Sequence, residues 1–304
     1  MSRARATTAP SREANLAGIG LALMSAAAFG TLAILAKLGY DRGADPIPLL
    51  AGRFAVAGAL LLAFHVAIRR PLVPSVGVVA RLLLLGGFVY GGEATLFFVA
   101  LTKAPAGIVS LIFFSYPLMT NVLGFATGLE RPSARVIVAL ALGSAGILSI
   151  FSITGADRAG LLLALLAALA VAIYFLAAQV IMRGIHPTVS ATWTSLGAAV
   201  VLGVASSVSR QSLPLEAMPS AATLGVATVI AFVALYAAIG KIGSSRASVA
   251  QMLEPVVTVL LGALILSERL TWRIGLGAAL IVSSLPLLTA TGHQEEIPPP
   301  PDSL

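Results

Sequence analysis

The chain has 304 residues, 58% of them hydrophobic and only 10% charged, with a mean hydropathy of +1.00 and a formal net charge of +7. Ordinary globular domains carry about 25% charged residues, so a conventional water-soluble core is excluded. Zero cysteines exclude disulfides, thiol catalysis and cysteine metal sites, and three well-separated histidines (His65, His186, His293) make no metal-ligand spacing, so no metal or other cofactor is expected.

A bilayer core about 30 Å thick is crossed by about 20 residues at 1.5 Å each, so apolar runs of that length predict spanning helices. In chain order they fall at roughly 16–38, 47–68, 82–101, 106–129, 136–153, 159–182, 189–208, 221–239, 249–266 and 274–290. The predicted fold class is an all-α integral membrane protein with ten transmembrane helices. The first run is too long for a signal-peptide core and reads as a retained helix. A polar tail precedes it at 1–15, and a proline-rich one, 291–304, follows the last and is expected to be disordered.

With the N-terminus inside and the spans alternating, the inside segments hold eleven basic residues: Arg3, Arg5, Arg12, Arg69, Arg70, Arg81, Arg131, Arg135, Arg183, Lys241 and Arg246. The outside segments hold six: Arg42, Lys103, Arg158, Arg210, Arg269 and Arg273. Lys37 and Arg53 lie within spans. That bias puts both termini in the cytoplasm and makes the net charge a topology signal facing anionic lipid, not a nucleic-acid surface.

Sliding the chain against itself by 138 residues lays "LTKAPAGIVSLIFFSYPLMTNVLGFATGLERPSAR" over "IGKIGSSRASVAQMLEPVVTVLLGALILSERLTWR" without a gap. Lys103 meets Lys241, Ser110 Ser248, Pro117 Pro255, Thr120 Thr258, Gly124 Gly262, Glu130-Arg131 Glu268-Arg269, and Arg135 Arg273. Chance matches between Leu/Ala-rich stretches would be Leu and Ala, so these mark a true internal repeat. Each copy (16–153 and 159–290) holds five spans. An odd number inverts the second copy in the membrane, as in carriers that expose one central site alternately to each side.

Two five-helix copies, each with a proline-bearing fourth helix closed by a Glu-Arg pair, resemble the EamA-type members of the drug/metabolite transporter superfamily over about residues 16 to 290. Within it the chain looks most like the YddG-type exporters of aromatic and other amino acids. The resemblance implies a ten-helix exporter of small metabolites with a central cavity between the halves. A bacterial-type inner membrane, a small-molecule substrate and a monomeric state are expected beside it. It implies no nucleic-acid partner.

Proline inside a helix removes the bond to the carbonyl four residues back, here Phe113 for Pro117 and Gln251 for Pro255. In lipid a freed carbonyl needs another partner or a water-filled cavity, so both helices are expected to bend and line one. Glu254 precedes Pro255 in a greasy run. It marks either a proton or substrate path, or a scaffold capping a helix end. Glu93, in "YGGEATLFF", lies at a depth comparable to Lys37 and Arg53, and an unpaired charge there costs several kcal/mol. A buried pair with one of them is expected, either structural or engaging the charged ends of a zwitterion. Gly91 and Gly92 beside it permit close approach, and Gly124, Gly262, Gly275 and Ser283 suit helix packing. Tyr90, Phe113, Tyr116, Tyr174, Trp193 and Tyr236 are candidates for an aromatic pocket, with Gln251 on the Ser248–Pro255 face. Exposed ion pairs are worth about 0–1 kcal/mol, so Glu130-Arg131 and Glu268-Arg269 read as caps or latches between helices.

No H-E-x-x-H, G-x-S-x-G or G-x-x-x-x-G-K-[ST] motif occurs, which disfavours a membrane enzyme and direct use of ATP. A secondary transporter of small amphipathic metabolites, amino acids foremost, is the leading expectation. A sugar-phosphate exchanger of the same superfamily, a membrane enzyme and a channel are the alternatives.

Overall fold

The computed structural model describes residues 12–101, 103–104, 106–150, 157–209, 211–266 and 272–289. Both tails, Glu268-Arg269 and Arg210 lie outside the described residues, which are otherwise helices joined by short turns. The helices are α1 (Arg12–Tyr40), α2 (Pro46–Ala67), α3 (Val76–Leu84), α4 (Gly91–Leu101), α5 (Ala106–Phe113), α6 (Tyr116–Ala126), α7 (Ala134–Ile150), α8 (Arg158–Ile181), α9 (Pro187–Val208), α10 (Met218–Ala250), α11 (Glu254–Leu266), α12 (Trp272–Ser284) and α13 (Pro286–Thr289). A π-helical turn, Leu85–Tyr90, joins α3 to α4, and a 3-10 turn, Gln251–Leu253, joins α10 to α11.

Local chemistry sets several starts. Pro46, Pro187 and Pro219 occupy first-turn positions, where a missing N–H costs nothing. Asp157 caps α8 by accepting from the Ala159 N–H at 3.2 Å, and Ser75 caps α3 from Val78 at 3.3 Å.

Among the described residues, six helical stretches are long and apolar enough to cross a membrane: Glu13–Tyr40, Pro46–Ala67, Val76–Ala100, Arg158–Ile181, Pro187–Val208 and Leu215–Ile265. Ala134–Ser149 and Trp272–Leu288 are apolar but shorter. Large apolar side chains such as Val122, Val200 and Leu264 point outward, a surface that lipid tolerates and water does not.

The 51-residue stretch Leu215–Ile265 is far longer than one crossing needs, because it doubles back. Along α1, Gly18 abuts Ile242 while Ser25 donates to the Ala231 carbonyl, so α10 runs against α1. Ser25 also accepts from Gln251, and Gly30 abuts Val257, so the chain beyond runs with α1. The corner is Gly243, with φ +80° and ψ 167°, a conformation essentially reserved for glycine.

The packing exchanges the two copies. α2 packs on its counterpart α9, α7 on α12, and α1 on α10 as α4 packs on α8. α2 and α9 are antiparallel: Gly58 abuts Leu196 near mid-helix, and Arg70, just past α2, contacts His186 at the start of α9. The tightest approach lies at the π-helical turn. A Cβ on Gly86 would overlap the Thr194 carbonyl, and one on Gly87 would come within 2.7 Å of Val201. This corrects the sequence reading, since a Cβ on Gly91 meets nothing closer than 3.5 Å and one on Gly92 nothing within 4 Å. Gly275 likewise faces open space and Ser283 is exposed.

Candidate functional site

The two proline-bearing helices break rather than bend. In the first copy α5 ends at Phe113 and α6 restarts at Tyr116; in the second, α10 ends at Ala250 and α11 restarts at Glu254. Pro117 and Pro255 are each the second residue of the new helix, where proline loses no interior bond. Ser115 tightens the turn, donating both its N–H, at 3.0 Å, and its hydroxyl, at 2.6 Å, to the Ile112 carbonyl.

Between the breaks lies a small cavity lined by Phe29, Tyr90, Glu93, Phe113, Tyr116, Val171, Tyr174, Phe175, Leu235, Gln251 and Glu254. One wall is aromatic. Tyr116 lies 5.5 Å from Phe113 and 5.6 Å from Phe175, centroid to centroid. Tyr90 lies 5.1 Å from Tyr174, whose hydroxyl is hydrogen-bonded to that of Tyr236.

The other wall presents acceptors. Gln251 donates Nε2 to the Ser25 hydroxyl at 2.8 Å, leaving its buried Oε1 without a partner. Glu93 is buried and Glu254 half-buried. Arg53 is the charge that acts on both carboxylates through space. Its direct partners are hydroxyls: Nε donates to Thr228 at 2.6 Å and a terminal nitrogen to Tyr90 at 3.5 Å, with the guanidinium 4.6 Å over the Phe54 ring. Of the two cations the sequence offers Glu93, Lys37 and Arg53, Arg53 is thus held by hydroxyls rather than by a direct bond to the carboxylate.

Of the residues singled out from sequence, Tyr90, Glu93, Phe113, Tyr116, Tyr174, Gln251 and Glu254 come together in this lining. Pro117 and Pro255 are buried behind it, Tyr236 stands behind Tyr174, and Arg53 behind Tyr90. Lys37 is exposed in the last turn of α1. Trp193 lies elsewhere, donating its indole N–H to the Leu72 carbonyl at 2.9 Å. Phe29, Val171, Phe175 and Leu235 carried no sequence signal separating them from other apolar helix residues. Among the described residues no group of three His, Asp or Glu side chains is placed to hold a metal.

Toward the end of the bundle where α1 begins, the proximal end, a polar network joins the two copies beneath the cavity. Asn121 donates to the Pro117 carbonyl at 2.8 Å and to Ser248 at 3.4 Å, and accepts from the Ser245 hydroxyl. Past it, one Glu130 carboxylate oxygen accepts from the Ser244 hydroxyl at 3.3 Å and the Ser245 N–H at 3.4 Å. Gln179 accepts from the Ser244 N–H at 2.5 Å and donates to the Leu129 carbonyl at 3.5 Å. Burial raises the Glu130 carboxyl above its ordinary range, against the hydrogen bonds of Ser245, Gln179 and Ser244 and the Arg246 charge.

The EamA-like transporter family matches the chain twice, over residues 16–152 and 158–290. Two curated relatives are each 28% identical. Uncharacterized transporter YcbK of Bacillus subtilis matches over 84% of this chain and 86% of its own length. Uncharacterized transporter sll1319 of Synechocystis sp. matches over 66% of this chain and 64% of its own length, so the chain spans just under two thirds of that relative. A solved structure, titled only as the crystal structure of a protein, superposes with a TM-score of 0.75 at 20% identity, covering 90% of this chain and 96% of that one; the likeness is one of fold.

Proposed function

Because the chain belongs to the EamA-like transporter family, and so is a multi-pass membrane protein whose family moves small molecules across a bilayer, we propose that it is a secondary transporter exporting amino acids, aromatic ones included. The observation that carries this reading is the two-faced cavity. Glu93, Gln251 and Glu254 face an ammonium group with acceptors only, while Phe113, Tyr116 and Phe175 offer a ring-accepting wall. A sugar phosphate fits poorly, because two carboxylates meet its negative charge and Arg53 reaches the cavity only behind Tyr90.

The transport cycle proposed is alternating access. Ten spans, counting each broken helix once and the doubled-back stretch as two, form two five-helix copies of opposite orientation, and the antiparallel packing of α2 on α9 supports that inversion. The excess of basic residues favours a bacterial-type inner membrane with both termini cytoplasmic. The protein works as a monomer, without nucleic acid, and is not an enzyme.

Efflux from liposomes holding the purified protein and a panel of labelled amino acids, with and without a pH gradient, tests the reading. Saturable efflux of aromatic amino acids, competed by one another and not by phosphates, is expected; phosphate exchange without amino-acid efflux sinks it. The inversion has its own test: a cysteine replacing Ser133 should label only from the cytoplasmic side and one replacing Thr271 only from the other.

A further inference from the structure

The polar network beneath the cavity ties one copy to the other at a single corner. Glu130 follows α6 of the first copy, and the donors to its carboxylate, Ser244 and Ser245, belong to the second. The corner leaves the Ser244 and Ser245 N–H groups without carbonyls from the preceding turn, and Gln179 and Glu130 supply the acceptors instead. The fit is close, since a Cβ on Gly243 would lie 2.6 Å from the Glu130 Oε1. Between this corner and the cavity stand Asn121, Ser245 and Ser248, all fully or almost fully buried and bonded to one another. Tyr116 and Gln251, on the cavity side of this network, are buried as well.

The repeat carries the corner over to the other copy. The 138-residue register that pairs Glu130 with Glu268 also pairs Ser244 with Ala106. α5 begins at Ala106, so the chain starts its broken helix at the same point in both copies. Glu268 itself lies outside the described residues; its equivalence is one of sequence.

We propose that Glu130 is a positioning residue that latches the cavity shut at the proximal end by holding the Gly243 corner. Breaking the Glu130 contacts frees α6 from the corner and opens the cavity proximally. This rests on the alternating-access reading, but the latch does not touch substrate.

The test is labelling of the otherwise cysteine-free chain in proteoliposomes, with a reporter cysteine at Val171 and a membrane-impermeant thiol reagent applied to one face at a time. Losing the two hydrogen bonds that Glu130 accepts is worth roughly tenfold in an equilibrium, so Glu130→Ala should raise reporter labelling from the proximal face by about that factor. Glu130→Gln keeps an acceptor oxygen and should raise it less. Where Glu130→Ala does not fold, Ser244→Ala, which removes one donor, is expected to shift labelling the same way by a smaller factor. Unchanged proximal labelling in the folded variants overturns the latch. The assay uses no substrate, so a failed latch leaves the amino-acid reading standing, and a failed efflux assay leaves the latch standing.

Discussion

The two broken helices share one geometry and differ in chemistry. At the first break, Phe113 and Tyr116 turn rings into the cavity; at the second, Gln251 and Glu254 occupy the register-equivalent positions and turn acceptors into it. Duplication supplied a helix that stops, restarts on a proline and exposes side chains at a fixed depth. Divergence then made one copy the apolar wall and the other the polar one. Under the proposed function, such a site would hold an amphipathic molecule in one orientation, although the scaffold around it is nearly symmetric.

The largest effect should come where the copies cannot be alike. The second copy turns its corner at Gly243, with φ +80°, where the register puts Pro105 in the first. Gly243→Val places a β-branched residue in a glycine-only conformation against Glu130, costing about 1–3 kcal/mol for the backbone alone. Loss of folded protein in size-exclusion profiles is expected, with Gly240→Val, in open space, as the tolerated control.

Exchanging the chemistry at equivalent positions sharpens the comparison next. Glu254→Gln should lower transport roughly 10-fold or more while the thermal midpoint in detergent holds, because a charged hydrogen bond to substrate is worth about 1.5–3 kcal/mol. Tyr116→Phe keeps the ring and should change transport less than threefold. Equal losses in the two would show that the walls are not chemically distinct. Glu93→Gln should also cut transport yet spare stability, since Arg53 is held by Thr228 and Tyr90 and loses no direct partner.

Smaller effects are expected at the prolines. Each sits where a helix restarts, so Pro117→Ala and Pro255→Ala should leave stability within about 1 kcal/mol. Either change lets a continuous helix form across the break, and transport should fall several-fold in both. A loss in only one would mean that only one break moves.

The smallest predicted effect is one of pH. Burial raises the Glu130 carboxyl in the latched form, and opening returns it to water, so the latched form binds the proton more tightly. That preference is full at low pH and is lost as pH rises from the ordinary carboxylate range through the latched-state value. Acidification should therefore slow proximal labelling of the Val171 reporter relative to one at exposed Thr127, and Glu130→Gln should abolish the difference.

Much of this was legible in the chain itself. Hydropathy fixed the solvent, because only apolar runs of span length avoid stranding charge in lipid. The ungapped register fixed which residues are equivalent, and proline at the same place in both copies fixed where the helices give way, since a missing N–H acts locally. The aromatic and acidic residues near those prolines followed from that. The remainder depended on how helices rotate and cross. Arg53 meets Thr228, Glu130 meets the Gly243 corner and Gln251 meets Ser25 across separations of 114 to 226 residues. Such partners are chosen by the orientation of each helix face, and a pattern of uniformly apolar faces does not encode that orientation. Nothing local distinguishes Gly243, which turns the chain, from Gly240, which faces open space, or predicts that Glu93 faces a cavity rather than a cation. Those outcomes belong to the tertiary structure, because they arise from close packing between copies and not from the preference of any one segment.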